Sequence, residues 1–305
     1  MRAKQRLLAA LVLPLVAACG SASGDGGPVT PTGGSGAAVT VSLDDRPFRL
    51  YVPRSYDPAA KAPLVVLLHG YESSAALHEK YFKLAAESER RGFLYAMPDG
   101  TTDRRGKRFW NATEACCDFF GTGIDDAAYL SRLLDTVTAS YSVDSRRVYL
   151  IGHSNGGFMA YRMACEHAKR ITAIVSLAGM ATDDPERCRP QRPVSILHIH
   201  GTADQTIKYD GGVNVGDPYP SVDTTVARWR HHNGCDDHPD SSAAPFDLDS
   251  GLPGPETTAT VYAAGCRDGT RVVVWSIKDG GHVPALTAAF APAVLDFLLA
   301  QVSPA

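Results

Sequence analysis

The sequence predicts an α/β domain: a mainly parallel sheet of about eight strands flanked by helices. Three observations carry that expectation. Apolar runs of strand length alternate with segments of helix length along most of the chain, which implies crossover connections and hence parallel pairing. Several of these runs are unbroken rather than alternating, the pattern of strands covered on both faces. Finally, 305 residues with 44% hydrophobic side chains are enough for one large core.

Taken in order, residues 39–43 and 48–52 read as a hairpin-like pair around Asp44-Asp45-Arg46-Pro47. Residues 64–68 form an apolar strand ending at His69-Gly70, followed by a helical stretch over 75–91. Residues 93–97 are the next strand, stopped by Pro98-Asp99-Gly100. A long loop over 101–123 carries Trp110 and the Cys116-Cys117 pair, and Asp125 is the expected N-cap of a helix running to about 140. Strands at 148–151, 172–177, 194–200 and 271–277 follow, with helices over 155–167 and 285–300.

The N-terminus reads as a targeting segment. Arg2, Lys4 and Arg6 precede an apolar run over 7–18 that is too short to span a bilayer. The run ends in Val16-Ala17-Ala18-Cys19, which is similar to a bacterial lipobox with Cys19 as the lipidated residue. An ordinary signal peptide cleaved near Ala17 and Ala18 is the alternative. Residues 20–38 are rich in Gly, Ser, Thr and Pro and read as a tether. The expected organisation is therefore a signal peptide (1–18), a flexible tether after the lipobox (19–38) and a catalytic domain (39–305). Membrane association is expected only through the lipid. A net charge of −3 points to no nucleic-acid partner. Export makes disulfides the default for the six cysteines other than Cys19.

Chemistry enters with Gly152-x-Ser154-x-Gly156, which follows the Val-Tyr-Leu-Ile strand and opens a helix. That is the context of a nucleophile elbow, a sharp strand-to-helix turn that exposes the Ser hydroxyl. A Ser nucleophile needs a base, and the base needs an orienting acid. The strand at 194–200 runs into Gly201-Thr202-Ala203-Asp204, and the strand at 271–277 is followed by Gly280-Gly281-His282. Asp204 and His282 are thus the expected acid and base, with Asp210 and Asp223 as rivals further from the strand end. The oxyanion hole needs two backbone N–H donors. Asn155, next to the nucleophile, and Tyr71, after His69-Gly70, are expected to supply them.

At this point a resemblance can be named. The blocks Leu-Leu-His-Gly-Tyr, Met-Pro-Asp-Gly, Phe-Trp-Asn-Ala, Cys-Cys-Asp, Gly-His-Ser-Asn-Gly-Gly, His-Ile-His-Gly-Thr-Ala-Asp and Gly-Gly-His follow one another between residues 48 and 299. In that order they resemble the family of polyhydroxybutyrate depolymerase-like and feruloyl or acetylxylan esterases. With its lipobox the chain is similar to that family's actinobacterial lipoproteins. The resemblance implies the α/β-hydrolase fold and a triad of Ser154, Asp204 and His282. It also implies disulfides Cys165–Cys188 and Cys235–Cys266, which leaves Cys116–Cys117 as a vicinal pair by elimination. Two departures bear on substrate: Val283-Pro284-Ala285 stands where Trp-Pro-Gly is frequent, and Glu72 stands where Gly is common.

The function so implied is an exported serine esterase working through an acyl-enzyme, without cofactor or metal. Its substrates are expected to be feruloyl, acetyl or other short or aryl esters of polysaccharide. The alternatives are a polyester depolymerase, a serine peptidase and an inactive binding lipoprotein. Trp110 is expected to face the substrate or else to pack its own loop. His231, His232 and His238 cluster in sequence with Asp236 and Asp237, but with no spacing that suits a metal site.

Overall fold

The computed structural model of the protein describes residues 33–304. The expected signal peptide and Cys19 lie outside the described residues, as does most of the expected tether. The folded body begins earlier than residue 39: β1 spans Ala37–Val41, and the amides of Gly34 and Gly36 already donate to the carbonyls of Tyr56 and Val52.

β2 (Phe48–Val52) completes the hairpin, and β3 (Ala62–Leu68) is the first inner strand. Helices α1 (Ala75–Phe82) and α2 (Leu84–Arg91) lead to β4 (Leu94–Met97). The long loop holds a small hairpin, β5 (Thr101–Thr102) and β6 (Arg108–Phe109), before α3 (Asp126–Ser140). Then follow β7 (Val143–His153), α4 (Asn155–Glu166), β8 (Ala173–Leu177) and β9 (Ser195–Gly201). A second small hairpin, β10 (Gly212–Asn214) and β11 (Asp217–Tyr219), precedes α5 (Val222–Asn233), β12 (Thr257–Tyr262), β13 (Val272–Ile277) and α6 (Phe290–Leu299).

Nine strands form one sheet in the order β1-β2-β4-β3-β7-β8-β9-β13-β12. The six from β4 to β13 are parallel, and the outer strands β1, β2 and β12 pair antiparallel. Strand alternation splits the core in two. Leu64, Val66 and Leu68 of β3 join the side chains of α3, α4 and α5. Val65 and Leu67 join those of α1, α2 and α6 on the other face. Each such fully buried aliphatic side chain contributes about 1.5–3 kcal/mol relative to exposure.

Three differences from the sequence expectation have physical causes. The helix expected over 75–91 is two helices, broken at Lys83 with φ 57°. Phe82 and Leu84 are both buried; residues two apart on a continuous helix point to opposite sides, so the break lets both reach the core. A ninth strand, β12, adds to the eight that the sequence predicts. It is an edge strand in which only Thr257 and Ala259 are buried, so its apolar signal is weak although Thr-Thr-Ala-Thr-Val-Tyr is rich in β-branched residues. The last helix starts at Phe290 rather than 285, because residues 285–287 are tied to the preceding loop: Ala285 N–H donates to Asp249 Oδ1 (2.8 Å) and Thr287 N–H to Leu248 O (2.9 Å).

The expected N-cap is present, with Asp125 Oδ1 accepting from Ala128 N–H at 3.0 Å. Its neighbour Asp126 is buried and pairs with Arg46 at 2.7 Å, and it also accepts the Asn111 N–H at 2.7 Å. The long loop is thereby fastened to α3. The cysteines pair as expected, Cys165–Cys188, Cys235–Cys266 and Cys116–Cys117. None of the helices among the described residues is long and apolar enough to cross a membrane.

Candidate active site

β7 passes into α4 through one residue, Ser154. Its φ of 53° and ψ of −120° lie where an L-residue stays only if its surroundings hold it. Ser154 N–H donates to Leu177 O at the end of β8 (2.7 Å), and Ser154 O accepts from Phe158 N–H (3.0 Å). A Cβ on Gly152 would overlap the Gly156 carbonyl, and one on Gly156 would overlap the Leu68 carbonyl. Both glycines of the motif are therefore required by close backbone approach. Gly156→Ala is expected to cost about 1–3 kcal/mol, the range for overpacked cores. It should be read as a lower urea midpoint at unchanged slope; an unaltered midpoint would mean that α4 can lift from β3 without penalty.

Asp204 and His282 stand on loops after the adjacent parallel strands β9 and β13. Backbone bonds stitch those loops together: Thr202 N–H to Ile277 O (2.9 Å) and Ala203 N–H to Gly280 O (2.9 Å). The structure brings all three expected residues into line. His282 Nε2 lies 2.9 Å from Ser154 Oγ, and His282 Nδ1 lies 2.7 Å from Asp204 Oδ2. Of the three acids considered, Asp204 is the one that reaches His282; Asp210 is exposed, and Asp223 sits in the first turn of α5.

Asp204 is buried. Its Oδ1 accepts the N–H groups of Thr206 (2.8 Å) and Ile207 (3.0 Å), and His200 Nε2 approaches Oδ2 at 3.3 Å. Burial pushes the carboxyl upward, but hydrogen bonds from His200 and His282 outweigh it and hold the group well below the usual carboxylate range. An ionised Asp204 requires the proton of His282 on Nδ1. That leaves Nε2 free to accept from the Ser154 hydroxyl, the arrangement of a nucleophile with its base.

The first oxyanion candidate is aimed by its neighbours. His69 Nδ1 donates to Gly70 O (2.8 Å) and Ser73 N–H donates to the same oxygen (3.2 Å). With the carbonyl of the planar trans peptide pinned on that side, the Tyr71 N–H points the opposite way. Among the described residues, neither it nor the Asn155 N–H at the start of α4 has a protein acceptor. The two expected donors are thus both unengaged.

Trp110 requires a correction. Its side chain is fully buried. Its indole Nε1–H donates to His69 O (3.0 Å), while its amide and carbonyl bracket the Asn155 side chain at 2.7 and 2.8 Å. It offers no face to a substrate; it locks the long loop against the strand end that carries the oxyanion turn. Asn155 Nδ2 also reaches Cys116 Sγ (3.4 Å), so the Cys116–Cys117 pair rests on the residue after Ser154.

Sequence reasoning passed over several histidines. His198 and His200 share one face of β9, as alternation requires. Both are buried and lie in a chain from Tyr161 OH to His198 Nδ1 (2.8 Å), from His198 Nε2 to His200 Nδ1 (3.2 Å), and from His200 Nε2 to Ile207 O (2.7 Å). The His-x-His spacing was the available signal. His78 and His153 form a second chain. His231 and His232 occupy the last turn of α5, and His238 is exposed. Among the described residues, no group of three His, Cys, Asp or Glu is arranged to hold a metal ion.

Comparison with known proteins points to esterases. A family model described as "Putative esterase" matches residues 42–230. The chain is 29% identical to "Putative esterase NocK" of Nocardia uniformis subsp. tsuyamanensis, over 91% of this chain and 82% of that one. It is 27% identical to feruloyl esterase B of Piromyces equi over 75% of this chain, and it spans 41% of that longer protein. Among solved structures, the acetyl xylan esterase from Aspergillus awamori superposes with a TM-score of 0.60 at 15% identity, covering 86% of this chain and 98% of that one. At that identity the likeness is one of fold.

Proposed function

This chain belongs to the esterase family and is a carboxylic-ester hydrolase of the α/β-hydrolase fold, and we propose that it is exported and cleaves acetyl or hydroxycinnamoyl esters of polysaccharide through an acyl-enzyme on Ser154. The observation that carries the mechanism is the line Ser154–His282–Asp204, at 2.9 and 2.7 Å, beside the unengaged N–H groups of Tyr71 and Asn155.

In this reading His282 takes the Ser154 proton as Oγ attacks the ester carbonyl. Tyr71 and Asn155 hold the oxyanion, and His282 returns the proton to the departing alcohol. Water, activated by the same His282, then frees the acid. Asp204 keeps His282 in the useful tautomer throughout and stabilises its charge as it forms.

The substrate class rests on the printed activities of the relatives, a feruloyl esterase and a bifunctional acetylxylan esterase/xylanase among them. Export rests on the basic-then-apolar N-terminus and on the three cysteine pairs, which persist in oxidising compartments. Residues 1–18 are then the signal peptide. Cys19 is the lipid attachment point at the outer face of the membrane, and the tether runs from it to about residue 33, where the folded body begins. With Trp110 buried, the aromatic surface beside the Tyr71 amide is Tyr71 itself with Phe119. The two partly buried rings pack edge to face at 5.1 Å.

A panel of methyl ferulate, acetylated xylan, short hydroxybutyrate oligomers and a peptide amide tests the reading. The expected result is kcat/KM at least about tenfold higher on ferulate or acetylated xylan than on the others, the scale on which pockets separate related groups. Preference for the hydroxybutyrate oligomers would replace the substrate class with polyester, and preference for the peptide amide would replace it with peptide.

A further inference from the structure

His153, the residue before the nucleophile, and His78, on α1, are 75 positions apart in the chain and touch: His78 Nε2 lies 3.1 Å from His153 Nδ1, and the two rings stack at 5.3 Å. Each ring also holds a second partner. His153 Nε2 lies 2.9 Å from the backbone carbonyl of His282, and His78 Nδ1 lies 2.9 Å from Ser73 Oγ in the oxyanion loop. Gly70 packs on the same pair. Its N–H points at His78 Nε2 as a donor (3.3 Å), and a Cβ there would sit 3.3 Å from His153 Nδ1 and 3.5 Å from His78 Cε1. A further tie runs from α1, where Tyr81 OH donates to Pro284 O (2.7 Å) two residues past His282.

The proton positions follow from the partners. The His282 carbonyl can only accept, so His153 carries its proton on Nε2 and accepts at Nδ1. His78 Nε2 meets one acceptor, His153 Nδ1 at 3.1 Å, and one donor, the Gly70 N–H at 3.3 Å; with its proton on Nε2 it donates to the nearer His153, at the expense of the Gly70 bond, and accepts the Ser73 hydroxyl at Nδ1. Both rings are neutral: burial pushes His78 down to about 3, and burial followed by the charge of His282 pushes His153 down to about 4. The hydrogen-bonded order is Ser73 to His78 to His153 to the His282 carbonyl. One continuous brace therefore joins the oxyanion loop, the nucleophile turn and the loop of the base.

We propose that His78 and His153 are positioning residues, setting the Tyr71 N–H and the His282 ring against Ser154 in a single alignment. The proposal rests on the reading of Ser154 and His282 as nucleophile and base. Neither brace histidine contacts a bound ester through the groups just described; both act through the peptide and the ring that do. Their effect belongs on kcat, because the alignment matters most where charge develops on the carbonyl oxygen.

The test is a set of variants measured on one soluble aryl ester: His78→Phe, His78→Gln, His153→Phe, the double variant His78→Phe/His153→Phe, and Ser154→Ala as reference. Phenylalanine keeps the stacked ring and deletes the hydrogen bonds, whereas glutamine returns an N–H near the Nε2 position. His78→Phe should lower kcat about 30-fold, below the 10²–10³-fold loss from deleting an oxyanion donor outright, with KM changed less than about twofold. His78→Gln should recover most of that loss. The double variant should fall no further than the worse single, as expected of residues acting as a unit. Should His78→Phe not fold, His78→Asn, too short to reach His153, reads the same loss. Unchanged kcat, a loss expressed in KM alone, failure of glutamine to rescue, or additive losses would each overturn the brace. Activity retained in Ser154→Ala would instead overturn the nucleophile on which the brace rests.

Discussion

Ser154→Ala is expected to lower kcat on any ester by about 10⁶-fold while leaving a folded protein. The size follows from what remains. The Ser154 hydroxyl, held at the turn between β7 and α4, is the oxygen within reach of His282 Nε2, and alanine leaves His282 with nothing to deprotonate. The donors of Tyr71 and Asn155 persist, so residual hydrolysis by water at the oxyanion site sets the floor. The backbone at this position has positive φ, which alanine tolerates about as well as serine because both carry a single Cβ, so the variant should fold as the parent does. Steady-state turnover of p-nitrophenyl acetate, checked against a fluorophosphonate label, measures the loss. Labelling at a residue other than Ser154, with activity near the parent's, would sink the assignment.

The second large effect is Asp204→Asn, expected to cost about 10⁴-fold in kcat. The direction of the amide is dictated by this structure. Oδ1 of Asp204 accepts two backbone N–H groups, from Thr206 and Ile207, whereas Oδ2 faces the His282 and His200 rings. An asparagine keeps its carbonyl oxygen on the two amides and turns its NH₂ toward His282. His282 Nδ1 must then accept, its proton moves to Nε2, and Nε2 can no longer take the proton of Ser154. The variant should bind substrate with little change in KM, because Asp204 is buried behind the base. A loss smaller than about tenfold would mean that His282 does not depend on Asp204 for its tautomer, and the acid would have to be sought elsewhere.

Much of this site was legible in the sequence because its signals are local. The nucleophile turn announces itself within five residues, since Gly152 and Gly156 are required by contacts that the turn itself creates. The meeting of Asp204 with His282 was legible one step less directly. A parallel sheet delivers the ends of β9 and β13 to the same edge, so residues just past two strand ends meet although 78 positions separate them. The choice of Tyr71 and Asn155 as candidate donors followed from the same rule, each lying just past a strand end.

What the sequence by itself determined is therefore the set of strands with unbroken apolar runs, the crossover order that makes them parallel, and the identity of the residues at their ends. The tertiary structure decided the rest. It buried Trp110, because the His69 carbonyl and the Asn155 side chain, 41 and 45 positions away, close around it; nothing within the loop distinguishes an indole that faces a ligand from one that faces a neighbouring strand. It aimed the Tyr71 N–H, through bonds from His69 and Ser73 to a single carbonyl. It brought His78 of a helix onto His153 of a strand end, where burial removes their charge and makes their hydrogen bonds directional. Periodicity and turn chemistry report which way one segment faces its immediate neighbours. They carry no information about which distant group will supply a partner, because that partner exists only once the sheet has assembled and water has been excluded from between its layers.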